Sequence, residues 1–415
     1  MADLFITGQF YGVDTITAVS NGSQIMHMMT VIIVGLAMGT TVTIGHSVGA
    51  KCMEQAEKII GNTITLFMGI AVAFTVILVV LVKPIVVLIA TPQEAVAGTS
   101  IYLLICFIGI PFITAYNIIS SIFRGLGDSK SPMYFIGIAC VMNIALDYLF
   151  MGAFHMGAAG AALGTVCAQT FSVLVALWVI RRRKTGISLK KSDFKIERAV
   201  IGQVLKIGIP VALQDGFIQV AFMIITVIAN SRGVSDAAAV GIVEKVISAL
   251  FIVPSSMLAT VSALSAQNFG AGKEKRATDT LRYATVITTI YGVIVAVLIQ
   301  FIAENVVGIF TSDTTVVTMG SAYIRSYIWD CIFAGIHFSF SGYFAACGKS
   351  YIGFLHNIIS ITFVRVPGSY LASKYFTDTL YPMGLAAPAG SLVSVAICVT
   401  AFILLKRKSR VAQTA

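Results

Sequence analysis

Seven ionisable side chains lie inside strongly apolar runs of this sequence, and they are the first candidates for chemistry. They are Asp3, Asp147, Asp215, Glu244, Lys245, Asp330 and Arg365. An ionised group near the centre of a bilayer costs at least ~2.5–3.5 kcal/mol, so a sequence that keeps one there indicates a function for it. Most of the seven are carboxylates, which favours the binding of cations or protons.

Asp147 is the strongest of these candidates. It lies in the run MNIALDYLFMG, at least one full turn inside a predicted helix, and Asn143 precedes it by four residues on the same face. A carboxylate beside an amide oxygen suits a hard cation such as Na⁺, and a buried carboxylate without a partner could instead carry a proton. A polar pair that only bonds two helices near the membrane edge is the alternative, and these two residues alone leave both open.

Asp215 and Asp330 are the two aspartates of the second half among these candidates. They could contact a cationic substrate or form a second ion site. The alternative is an acid near a cavity edge that pairs with Arg325. We expect Arg365 to pair with one of these acids, which makes it a third candidate for the substrate region.

Other kinds of site lack their motifs. The five histidines have no metal-ligand spacing, and the seven cysteines form no CxxC pair, so we expect free thiols and no metal beyond a possible Na⁺. No GxxxxGK[ST] stretch is present, which argues against ATP hydrolysis. An intramembrane protease would need a paired Asp–Asp or Ser–His site, and the sequence shows no convincing one. We therefore predict no catalytic residues and no cofactor.

The elements that must hold these residues are transmembrane helices. The 415 residues are 57% hydrophobic and 11% charged, whereas soluble domains carry roughly 25% charged residues. Apolar runs of about 20 residues, the length of a membrane span, recur along the chain. An all-α integral membrane protein is predicted, with helices near 23–48, 58–90, 98–123, 132–152, 157–181, 203–230, 237–265, 280–303, 318–346, 351–373 and 383–405. Residues 1–10 resemble the tail of one more helix, which is helix 1 and makes 203–230 helix 7.

The net charge of +10 comes from basic residues that cluster in alternate loops. Such clustering orients membrane proteins with the basic loops in the cytoplasm, so we expect a cytoplasmic C-terminus and no nucleic-acid partner. The basic loops contain Lys51, Arg124, Lys130, the 181–195 segment, Lys273, Lys275, Arg276, Lys349 and the 406–410 segment.

The chain also contains an internal repeat. A shift of 221 positions places Gly12 on Gly233 and keeps the helices in register, a duplication that is common in transporters. We predict two six-helix lobes, so that the domains are an N-lobe at 1–182, a cytoplasmic linker at 183–200, a C-lobe at 201–405 and a cytoplasmic tail at 406–415.

The repeat carries two further implications. The counterparts of Asp3, Asn143 and Asp147 are apolar or glycine, so the polar residues indicate a task performed in the first half only. The same shift aligns Gln203, near the start of helix 7, with a position about 18 residues before Met1. We therefore expect the start of helix 1 to be missing, through a misassigned start codon or a truncated gene.

Four motifs resemble the multidrug and toxic compound extrusion (MATE) family of transporters, prokaryotic type. They are FRGLGDSKSP (123–132), NIALDYLF (143–150), GAAGAALGTV (157–166) and SAQNFGAGKEKRA (265–277). The resemblance implies twelve helices in two six-helix lobes, with a cavity open to one side at a time. It also implies export of cationic, amphipathic drugs in exchange for Na⁺ or H⁺.

The resemblance implies a cation site as well. Prokaryotic members build it in the N-lobe from an Asp on helix 1, an Asn and an Asp on helix 5 and a Thr on helix 6. The matching residues here are Asp3, Asn143, Asp147 and Thr165. The chain departs from the family at the start of helix 1, and at Ala345–Ala346, where the second half lacks the usual Arg-Gly pair.

We therefore expect a multi-pass antiporter of the prokaryotic plasma membrane, monomeric, with the lipid bilayer and small organic cations as partners. A flippase for lipid-linked saccharides is the alternative within transport. Such a flippase would need a broadly basic cavity to hold pyrophosphate, whereas the buried charges here are mainly acidic. A channel is also conceivable, but the repeat and the acids confined to one lobe argue against it.

Overall fold

The computed structural model describes residues 2–89, 91–182 and 189–414. These residues are almost entirely helical and contain no β-strand, which confirms the predicted all-α class. The chain divides into two compact units, Met1–Gly208 and Ile209–Ala415. The division falls inside one long helix, shortly before Pro210.

The first unit contains seven α-helices and the start of an eighth among its described residues. Their bounds are α1 Ala2–Phe10, α2 Val13–Gly49, α3 Met53–Leu88, α4 Gln93–Ile108, α5 Ile110–Leu126, α6 Lys130–Asp147, α7 Gly157–Arg182 and α8 Arg198–Asn230. A π-helical segment, Tyr148–Ala153, follows α6 directly, and a 3₁₀ turn at Lys191–Phe194 precedes α8.

The second unit contains the rest of α8 and eight further α-helices. These are α9 Val234–Leu250, α10 Ile252–Gly270, α11 Glu274–Gly308, α12 Thr314–Tyr327, α13 Asp330–Ala346, α14 Tyr351–Ser360, α15 Val366–Tyr375 and α16 Tyr381–Thr414. A second π-helical segment, Ile361–Arg365, joins α14 to α15.

Eight of the described helical stretches are long and apolar enough to cross a membrane, and the bent pair α4–α5 makes a ninth. The stretches at α12–α13 and α14–α15 are two further helical stretches at positions where the internal repeat predicts membrane spans. Together with α1 they bring the order of helices to one that is consistent with the predicted twelve-helix plan.

The predicted single helix at 98–123 is wrong in one respect, because it breaks at Gly109. The two parts, α4 and α5, differ in direction by 50°. Pro111 lies in the first turn of α5, where its missing N–H costs no helical hydrogen bond. Hydropathy alone does not detect such a break because both sides of it are apolar.

The predicted start of the second helix near residue 23 is also wrong, since α2 begins at Val13. The polar run that contains Ser20, Asn21 and Ser23 depresses the hydropathy there. The Ser23 hydroxyl donates to the carbonyl of Ser20, so these side chains find partners within the helix and do not end it.

Part of the predicted linker packs against α3, while residues 183–188 lie outside the described residues. The Asn62 side chain donates to the carbonyl of Asp193 at 3.1 Å and accepts from the Glu197 amide at 2.7 Å. A Cβ at Gly61 would collide with the Asp193 backbone. Glycine at this position therefore lets the segment before α8 lie directly on α3.

Candidate ion and substrate sites

Four predicted residues of the first unit form one hydrogen-bonded chain. The Thr165 hydroxyl donates to Oδ2 of Asp3 at 3.3 Å. The Asn143 amide lies 3.5 Å from Thr165 Oγ1 and 3.5 Å from Asp147 Oδ1. The structure therefore brings Asp3, Asn143, Asp147 and Thr165 together from three separate helices.

Helix geometry explains how α6 and α7 position this network. Asn143 and Asp147 are four residues apart on α6, so their side chains meet on one face. Gly164 on α7 faces Asp147 so closely that a Cβ there would collide with the carboxylate. Glycine at 164 thus permits the close approach that places the neighbouring Thr165 beside Asn143.

Helix α1 is short, but side-chain hydrogen bonds fix it to the rest of the unit. The Tyr11 hydroxyl, just after α1, donates to the Met151 carbonyl at 3.0 Å and accepts from the Gly157 amide at 2.9 Å. The Thr7 hydroxyl donates to the carbonyl of Asp3 at 2.6 Å. These contacts orient the turn of α1 that carries the Asp3 carboxylate.

The π-helical segment begins immediately after Asp147. Such segments are rare and are frequently found at functional sites. Asp147 itself is completely buried, and its Oδ2 has no hydrogen-bond partner among the described residues. A fully buried carboxylate oxygen without a donor is costly, so the site suits a state in which a proton or a cation occupies it.

A cavity of about 240 Å³ opens beside the network. Besides Asp3, Asn143 and Thr165, its polar lining includes Tyr116 and Gln169. The Tyr116 hydroxyl and Gln169 Oε1 are buried and lack hydrogen-bond partners among the described residues. Sequence reasoning missed both, although Gln169 follows Thr165 by one helical turn and that spacing could have revealed it.

The predicted acids of the second unit are not equivalent to each other. Asp330 is buried, and its Oδ2 lies 3.9 Å from Nη2 of Arg365. The Arg365 guanidinium also donates to the Tyr327 hydroxyl and lies 5.1 Å from the centre of the Phe222 ring. The expected pairing of Arg365 with one of the acids is thus observed.

The alternative pairing of Asp330 with Arg325 is wrong. The Arg325 guanidinium lies 3.2 Å from Glu304 on α11, and both side chains are substantially exposed. A flexible arginine close in sequence to a buried acid reaches water at less cost than it reaches the interior. The Arg365 side chain is itself largely buried, so it meets the buried Asp330 away from water.

Two further acids of the second unit have no cationic partner within hydrogen-bonding distance. Glu244 accepts from the Thr226 hydroxyl at 3.3 Å through Oε2, while its Oε1 has no partner among the described residues. Asp215 is half-buried on α8 and makes no hydrogen bond or ion pair with another described residue. The structure does not bring Asp215 into the Asp330–Arg365 pair.

The polar side-chain atoms of the first-unit network are all oxygens, apart from the Asn143 amide nitrogen. Carboxylate, amide and hydroxyl oxygens suit hard cations and protons rather than thiophilic metals. The described residues contain no group of three or more His, Cys, Asp or Glu side chains that could hold a metal ion. The oxygen atoms of the network therefore suit a hard cation such as Na⁺, or a proton.

Comparison with known proteins decides the family. The family model described as MatE matches residues 1–149 and 210–371, which together are most of the chain. The chain belongs to the MatE family. Its members are transporters, so the protein is a multi-pass membrane transporter and not an enzyme.

Relatives and solved structures agree with this family. The chain is 25% identical over 402 residues to the probable multidrug resistance protein YoeA of Bacillus subtilis, covering 95% of this chain and 87% of that one. It is 29% identical to YpnP of the same organism, also named a probable multidrug resistance protein, over 91% and 84% of the chains. A crystal structure of a MATE protein in complex with MaL6 superposes with a TM-score of 0.91 at 19% identity, covering 100% and 92%.

Proposed function

We propose that this MatE transporter exports cationic, amphipathic drugs or metabolites in exchange for Na⁺ or H⁺ by alternating access. YoeA and YpnP are both named probable multidrug resistance proteins, which supports drugs as the exported compounds. The observation that carries the antiport mode is the partly buried chain of hydrogen bonds from Asp3 through Thr165 and Asn143 to the fully buried Asp147.

The coupling follows from the electrostatics of two carboxylates joined in a low-dielectric environment. When Asp3 and Asp147 are both ionised, they repel each other, and a bound cation or a proton removes that repulsion. The ion therefore favours the conformation in which the network is closed. If the drug favours the other conformation, the two ligands compete through a single equilibrium, which is what antiport requires.

Asp215, Asp330 and Arg365 are the residues that we propose for substrate contact in the second unit. Asp330 already has a counter-charge in Arg365, so its attraction for a cation is reduced. Asp215 has no such compensation. Among the three, Asp215 should contribute most to the binding of a positively charged drug.

We place the protein in the plasma membrane of a prokaryote, as a monomer with a cytoplasmic C-terminus. The excess of lysine and arginine in alternate loops supports this orientation. The two Bacillus relatives support a bacterial setting. No cofactor is needed, because the ion gradient supplies the free energy.

A flippase for lipid-linked saccharides is the second candidate within transport. Pyrophosphate recognition would require several buried cations. The buried or half-buried charged side chains of the two candidate sites are acids apart from Arg365, and Arg365 contacts Asp330 and Tyr327. The charge balance therefore favours cationic cargo.

Ethidium efflux from drug-sensitive bacteria tests this function. Cells that express the protein are loaded with ethidium, energised with glucose and compared with vector-only cells. We expect faster loss of fluorescence, abolished by collapsing the proton or sodium gradient. A rate equal to that of vector-only cells, for ethidium and for a panel of other organic cations, would contradict drug export and favour the flippase.

A further inference from the structure

A second cavity, of about 410 Å³, lies in the second unit where α11 begins and α13 and α16 approach their ends. Three lysines line it, namely Lys275, Lys349 and Lys406. None of the residues that line this cavity is assigned to ion or drug binding above. Nothing in the transport mechanism uses it.

The cavity carries a net positive charge. Glu274 is the acid in its lining, against three lysines. None of the three lysine ammonium groups makes a salt bridge with a carboxylate of the described residues. An adjoining cavity shares Lys275 and Glu274 and adds Lys273 and Arg276, so the positive potential extends beyond the pocket.

The floor of the cavity is aromatic. The Tyr343 ring packs 5.5 Å from that of Phe269 and 5.5 Å from that of Phe402. The Lys406 ammonium lies 5.2 Å from the centre of the Phe402 ring. This is a cation–π contact, which holds the ammonium group at the aromatic part of the lining.

The neighbouring face of α16 is apolar and open. Ile403 and Leu404 are exposed just before Lys406. A membrane helix that exposes such residues contacts lipid chains there. The positively charged cavity therefore lies next to a lipid-facing surface near the C-terminal end of α16.

Two of the three lysines have no basic counterpart at the same position of the internal repeat. The counterparts of Lys275 and Lys349 in the first half are Glu54 and Asp128. Orientation of the protein in the membrane needs basic loops in general, but it does not require lysines at these positions, since the first half has acids there. A local function explains the difference better.

We propose that this cavity binds the headgroup of an anionic phospholipid. The phosphodiester lies among Lys275, Lys349 and Lys406, and the acyl chains follow the exposed face of α16. The first amides of α11, a 35-residue helix, add partial positive charge on the same side. Basic pockets between transmembrane helices are recognised sites for such headgroups.

The test uses the full-length protein in nanodiscs that contain equal amounts of phosphatidylglycerol and phosphatidylcholine. Lipid retained after gentle detergent extraction is counted by native mass spectrometry. The variant Lys275→Gln/Lys349→Gln/Lys406→Gln is compared with the control Lys130→Gln/Lys191→Gln/Lys195→Gln, which removes exposed lysines of the first unit. A Lys→Arg version of the three cavity residues shows whether charge suffices.

We expect the parent, the control and the arginine version to retain phosphatidylglycerol in preference to phosphatidylcholine. The glutamine variant should lose that preference by at least about ten-fold, since each lysine near an anionic surface contributes about five-fold in affinity. Inorganic phosphate at millimolar concentration should not displace the lipid. Equal retention by the glutamine variant and the parent would overturn the proposal, as would displacement by phosphate, which would indicate a soluble anion.

Discussion

Gly164 on α7 lies directly against the carboxylate of Asp147 on α6, with no room for a Cβ between them. This contact joins the two helices at the completely buried acid of the first unit. It also sets the distance between Thr165 and Asn143, which complete the hydrogen-bonded chain. The position of the proposed coupling site therefore depends on a residue that contributes no chemical group to it.

The first prediction concerns this contact. Gly164→Ala should displace the Asp147 carboxylate and reduce efflux by at least about ten-fold, while overpacking costs the fold about 1–3 kcal/mol. Gly137→Ala is the matched control, because a Cβ at Gly137 on α6 meets nothing within 4 Å. Ethidium efflux at equal membrane expression is the measurement. Equal rates for the two variants would show that the close approach is not required.

The second prediction concerns Gln169, which lines the cavity with an unpartnered carbonyl oxygen. Gln169→Leu removes a buried polar group that has no internal partner, so stability should be unchanged or higher. If the oxygen contacts the ion or the drug, the concentration for half-maximal transport should rise by about ten-fold, equivalent to one lost hydrogen bond. Cys167→Ala, exposed on the same helix, should leave both quantities unchanged. A purely structural Gln169 would instead show lower stability with unchanged transport.

The third prediction concerns the Asp330–Arg365 pair. Removing one member of a buried ion pair strands the other charge and typically costs about 3–5 kcal/mol, so Asp330→Asn should lower the thermal midpoint markedly. Asp330→Asn/Arg365→Gln should recover part of that loss. Arg325→Gln, which removes an exposed pair with Glu304, should cost less than about 1 kcal/mol. Additive effects in the double variant would mean that the two residues do not interact.

The fourth prediction concerns the anchoring of α1. Tyr11→Phe leaves the Gly157 amide and the Met151 carbonyl without the hydroxyl that joins them, at a cost of about 1–3 kcal/mol. Because α1 carries Asp3, efflux should fall as well. Tyr148→Phe serves as a comparison, since its longer 3.3 Å contact to Gln9 is exposed. Wild-type efflux from Tyr11→Phe would show that α1 is positioned by packing alone.

Much of the architecture could be predicted from the sequence because membrane insertion leaves few choices. Long apolar runs must be helical, since lipid offers no partner to the backbone. The break at Gly109 was missed because its apolar context looks uninterrupted. The π-helical segment after Asp147 was likewise invisible, because it changes the hydrogen-bonding pattern and not the composition.

The candidate site could be predicted from the sequence only in part. Asn143 and Asp147 could be paired by helical spacing alone. Asp3 is a candidate as an acid in an apolar run, but its place beside them, and the role of Thr165, follow only from the family resemblance, because tertiary packing joins the helices that carry these residues. Tyr116 offered no sequence signal, since a tyrosine in an apolar helix is ordinarily core. The sequence offers both Arg325 and Arg365 as partners for Asp330, and the structure selects Arg365, because Arg325 lies within reach of the exposed Glu304.

The central claim is that the network around Asp147 couples an ion to drug movement. The most direct test measures uptake of a fluorescent organic cation into proteoliposomes with an outward gradient of protons or of Na⁺, imposed separately. We predict gradient-driven accumulation by the parent and by Asp14→Asn, an exposed acid of the same unit, and none by Asp147→Asn. Accumulation by Asp147→Asn equal to that of the parent, under the gradient that drives the parent, would contradict the account.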